Sequence, residues 1–121
     1  MNTADDIALE QLALDVHLFV GERRFDQLLD RLDEFWNKHP RLSKKRGKLL
    51  KTLITTGYRI VALHKMDDIE RSDAVMRRAI DKYPELPDLK KTRLEHLLIA
   101  IDQGKHVEQA VLADAQVMAS T

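Results

Sequence analysis

The chain has 121 residues, 44% of them hydrophobic and 33% charged, and its 20 basic and 20 acidic residues cancel to zero net charge. This size suits one domain with its own core over residues 1–121, and the absence of cysteine excludes disulfides, thiolate metal sites and a cysteine nucleophile. Overall charge gives no pull toward nucleic acid, yet the charge is segregated: −5 over residues 1–40, +8 over 41–66 and −3 over 67–121.

At the N-terminus, Asp5, Asp6, Glu10 and Asp15 interrupt the apolar residues, so the pattern is not that of a secretion signal. No later stretch approaches the roughly 18 uncharged apolar residues of a membrane span. The expectation is a cytoplasmic protein with no membrane partner. Thr3 followed by Asp6 has the shape of a capping box, and a helix is predicted over 4–20 with Gly21 as its stop. Apolar residues cover more than one face of it, which calls for neighbours on two sides or for an interface such as that of a homodimer.

A second helix, 23–37, carries Phe25, Leu28, Leu29, Leu32 and Phe35/Trp36 at i, i+3, i+4, i+7 spacing and is closed by Pro40. The third, 43–66, is the basic one. Between Pro40 and Asp67 there are eight Lys or Arg residues and no acid. At 100° per residue, Lys44, Lys48, Lys51, Thr55 and Arg59 share one side, while Leu49, Leu50, Leu53, Ile54, Gly57, Ile60, Val61 and His64 share the other. Asp67 or Asp68 opens a fourth helix to Lys82, with Ile69, Ser72, Met76, Ala79, Ile80 and Tyr83 inward. After Pro84 and Pro87, a fifth helix capped by Asp88 is predicted to bury Leu94, Leu97, Leu98 and Ile101 and to end at Gly104. A sixth, over 106–118, would bury Val107, Ala110, Val111 and Val117. No segment alternates with period two, so the fold class is all-α, with about six helices in three antiparallel hairpins.

Lys38-His39-Pro40-Arg41-Leu42 and Lys82-Tyr83-Pro84-Glu85-Leu86 share the pattern Lys, ring, Pro, any residue, Leu, 44 residues apart. Ile69, Ser72, Ala79 and Pro84, together with Gly104-Lys105 before Val107-Glu108-Gln109-Ala110, make the chain resemble a degenerate tetratricopeptide-type (TPR-like) helical repeat. Its period differs from that family's, which is about 34 residues. The resemblance implies stacked helix pairs and a protein-binding role. A compact helical bundle fits the same helices.

The basic face, Lys44, Lys45, Lys48, Lys51 and Arg59, is the candidate binding surface. It has three readings: a solvated or internally neutralised face, a docking surface for an acidic protein, or a row of phosphate contacts for nucleic acid. Tyr58 alone accompanies the row, which provides little for stacking bases. Arg59 and His64 form an Arg-x4-His pair that looks like the signature of HEPN-type ribonucleases; a histidine near neutrality moves protons and an arginine holds phosphate. The five histidines have no metal-ligand spacing, and the four glycines are isolated, so no metal or cofactor is expected. The leading expectation is a non-catalytic helical adaptor or regulatory protein. Its alternatives are a nucleic-acid-binding regulator acting through 43–66 and a HEPN-like ribonuclease.

Overall fold

The computed structural model describes residues 3–119, with side chains described through residue 104. It is all-helical: α1 (Ala4–Gly21), α2 (Phe25–Lys38), α3 (Lys44–His64), α4 (Ile69–Lys82) and α5 (Pro87–Ala119). Five helices stand where about six were expected, because α5 runs on through Gly104. A glycine inside a helix costs only about 1 kcal/mol relative to alanine, and no proline follows to enforce a stop. The third hairpin is therefore absent, and the side-chain assignments at Val107, Ala110, Val111 and Val117 lie outside the described residues.

The capping box forms as the sequence reads. Thr3 Oγ1 accepts from the Asp6 amide at 3.2 Å, and Asp6 Oδ2 accepts from the Thr3 amide at 3.3 Å. The end of α1 differs from expectation. Gly21 is the last helical residue, and the left-handed position falls at Arg23, with φ 57°. The Arg24 amide donates to the Phe19 carbonyl and the Arg23 amide to the Val20 carbonyl, the paired bonds of a Schellman turn. The helix thus overruns the residue best suited to stop it. Further along, Ser43 caps α3 and Asp68 caps α4, each through its side-chain oxygen.

The helices pack on neighbours one or two places along the chain: α1 on α2 and α3, α2 on α3, α3 on α4 and α5, and α4 on α5. The core holds the predicted α2 stripe of Leu28, Leu29, Leu32 and Phe35, with Leu9 and Leu12 of α1, Leu50, Ile54 and Val61 of α3, and Met76 and Ala79 of α4. Gly57 lies against α2: a Cβ there would lie 2.6 Å from Leu32 Cδ1 and 3.2 Å from Leu28 Cδ2, so a side chain at this position would force those leucine methyls to move. Ser72 ties α4 to α3 by donating to the Ala62 carbonyl at 2.8 Å.

Two predicted faces are corrected. On α5 the buried row is Leu89, Thr92 and His96, whereas Leu94, Leu98 and Ile101 are more than half exposed. The i, i+3, i+7 row toward α3 and α4 contains a threonine and a histidine, so the more apolar stripe of the helix is the outer one. On α3, Leu49 is 56% exposed and His64 is also exposed, its ring stacked on Phe25 at 4.9 Å; Tyr58, placed beside the basic row by the sequence, is fully buried. The apolar arc of α3 is wider than the surface its neighbours cover.

Candidate basic docking site

Lys44, Lys45, Lys48, Lys51 and Arg59 are all exposed, and none has an ion-pair partner among the described residues. Other cations are engaged. Arg46, next in sequence, forms two bonds to Asp6 at 2.6 and 3.1 Å; Arg31 meets Asp15 at 3.1 Å, Arg93 grips Asp73 at 2.7 and 3.1 Å, and Arg78 joins Asp30 and Asp33. The acidic α1 therefore neutralises one member of the basic segment and leaves the row itself open.

The row is placed against helix physics. The positive end of the helix dipole favours acids in the first turn, and α1, α2, α4 and α5 each have at least one there. α3 has none, and begins instead with Lys44, Lys45 and Arg46.

Two clefts flank the row. The first, about 550 Å³, lies between the end of α2, the 39–43 link and the first two turns of α3. Its apolar walls come from Trp36, Leu42 and Leu50, and Lys44, Lys48 and Lys51 line it as well. Among the described residues no Asp or Glu lines it. Gly47 also faces this cleft, and a Cβ built there meets no atom within 4 Å. The second cleft, about 510 Å³, shares Lys48 and Lys51 and adds Thr52, Thr55 and Arg59, but its far wall is Glu85 and Asp88 at the start of α5. The five predicted residues are thus divided: Lys44, Lys48 and Lys51 converge on the first cleft, Arg59 belongs to the second, and Lys45 is exposed outside both.

Arg59 and His64 do not line a common cleft. Five residues apart on α3, they leave it about 140° apart around the axis. His96, from α5, is 5% exposed with Nδ1 lacking a hydrogen-bond partner among the described residues; burial first, and the nearby Arg59 charge, push its pKa down. Among the described residues no group of His, Asp or Glu is placed to hold a metal ion, and no helix is long and apolar enough to cross a membrane.

Sequence reasoning missed a second polar centre. Asp33 of α2 accepts from the Tyr58 hydroxyl of α3 at 2.7 and 3.0 Å, from the Tyr83 hydroxyl at the end of α4, and from Arg78 of α4 at 2.9 Å. Trp36 stands edge-on to Tyr83 with ring centres 5.1 Å apart, which joins this centre to the wall of the first cleft. Its one sequence signal is the pair of tyrosines, both in apolar positions that leave a hydroxyl needing a partner. Comparison with known proteins returned no match to a protein-family model, to a curated protein or to a solved structure.

Proposed function

We propose that this chain is a non-catalytic helical docking protein of the adaptor or regulatory kind, binding an acidic protein across the basic face of α3. The observation that carries the reading is the exposed, uncompensated row Lys44, Lys48 and Lys51 around an apolar cleft, on the helix that breaks the dipole rule. Complementary charge of this kind raises association rates and selects among partners. A protein is favoured over nucleic acid because Tyr58 is buried and, among the described residues, Trp36 is the one Trp, Tyr or Phe lining the first cleft, so the row offers little for stacking successive bases. The exposed Ile7, Leu14 and Leu18 of α1 supply a second surface, on which the homodimer reading rests.

The test measures binding of the intact protein to poly-glutamate and, in parallel, to single- and double-stranded oligonucleotides across a salt series starting at about 50 mM. Poly-glutamate binds at low salt and weakens as salt rises, and the triple variant Lys44→Glu, Lys48→Glu, Lys51→Glu loses it. Oligonucleotide binding with no response to poly-glutamate would move the function to the nucleic-acid reading. Light scattering on the same samples decides between monomer and dimer.

A further inference from the structure

The geometry points to the cleft between α2 and α3 as a pocket for one bulky apolar side chain of an acidic segment, with carboxylates on either side of that anchor held by Lys44, Lys48 and Lys51. This rests on the acidic-partner reading and adds to it a requirement that charge alone does not impose. At about 550 Å³ the cleft is in the usual range for a ligand site, and its layout is that of a short linear motif receptor: apolar Trp36, Leu42 and Leu50 together with cations and no acid. An acidic segment without an anchor would satisfy the lysines and leave the apolar walls wet. An apolar segment without acids would fill the walls and leave three ammonium groups with no counter-charge.

Gly47 lies in the lining of the cleft. Gly57, on the same helix, is explained by Leu32, against which any Cβ would collide. Gly47 has no such neighbour: among the described residues a Cβ there, as at Gly21 and Gly104, meets nothing within 4 Å, and of these three glycines Gly47 is the one that lines the cleft. Glycine in the second turn of a helix weakens it, and here no packing inside the chain compensates. What the missing side chain leaves is room beside Leu50 and between the lysines, where an incoming side chain can lie against backbone.

The experiment uses the intact protein and its single tryptophan, Trp36, as the reporter in the cleft wall. Three probes of equal net charge are titrated: an acidic peptide with one central Phe, the same peptide with Ala in its place, and a single-stranded oligonucleotide. The Phe peptide is expected to shift Trp36 emission and to bind at least about tenfold tighter than the Ala peptide. Gly47→Leu, which adds a side chain in the lining of the cleft and removes a helix-weakening glycine, is expected to erase that difference. Equal affinity for the two peptides overturns the anchor pocket and leaves the charged docking face standing; binding of the oligonucleotide alone overturns both, as does binding of none. The peptide comparison needs no variant, so it decides the matter even where Gly47→Leu fails to fold.

Discussion

At the scale of single residues, Asp33 of α2 is the shared acceptor for side chains from α3 and α4. It is one of nine acids in the first 40 residues and reads as an ordinary solvated carboxylate. Its partners are 25, 45 and 50 positions further along, a separation that helical periodicity does not encode, so this centre was not legible in the sequence. Removing the carboxylate leaves two buried phenols without an acceptor. Asp33→Ala is therefore expected to lower the unfolding free energy by about 3 kcal/mol, while Tyr83→Phe, which removes one donor and orphans nothing, lowers it by about 1 kcal/mol. Denaturant melts of the two variants check this, and equal losses would show that Asp33 acts only as a surface charge. Tyr58 was misplaced for a related reason: a tyrosine among lysines looks exposed until the acceptor that draws its hydroxyl inward is known.

Among the elements, α3 is the one whose sequence works against its own stability. Reversing charge at its first turn, Lys44→Glu with Lys45→Glu, satisfies the dipole and is expected to stabilise the protein by about 0.5–1 kcal/mol while weakening its binding to acidic peptides. Thermal melts and the peptide titration, run on the same variant, read the two effects separately; loss of stability would mean that these lysines make contacts that hold the fold. The lysine side of α3 was legible because a charged stripe with a 3.6-residue period needs no knowledge of the neighbours. The extent of the apolar side was not, because whether Leu49 and His64 are covered depends on how far around α3 its neighbours reach, which periodicity does not encode. The same limit explains α5. Its most apolar stripe, Leu94, Leu98 and Ile101, faces outward, and the row that docks includes Thr92 and His96. Periodicity finds a stripe but does not say which of two stripes meets the core.

For the whole molecule, the all-α class and the breaks at Pro40 and Pro84 could be read from the sequence, since proline and helical period are local signals. The continuity of α5 could not, because an isolated glycine stops a helix only where a turn is also packed. The molecule's response to pH follows from its ion pairs. Asp6 is held at about 2, chiefly by its bond from Arg46, and Asp73 and Glu34 are lowered by Arg93 and Lys38. Carboxylates depressed in the folded state stabilise it above their unfolded pKa of about 4, and that contribution is lost as pH falls toward 2. Tyr58 and Tyr83 are raised, first by burial and then by Asp33, so their contribution is complete below about pH 10 and is lost above it. Melting temperature is thus expected to be flat between about pH 7 and 10, to begin to fall below about pH 6.5 where the unfolded imidazole of His96 takes a proton that the buried ring resists, and to fall further toward pH 2 and above pH 10, with Arg46→Ala losing part of the slope at the acid end. A profile that is unchanged in Arg46→Ala would remove Asp6 from the account. The neighbour-only packing of the helices also bears on how the chain is made. Every helix meets its partners within two places along the chain, and the first cleft is built from residues 36–51, so a chain emerging from the ribosome holds all of the docking site's walls before α5 has been synthesised.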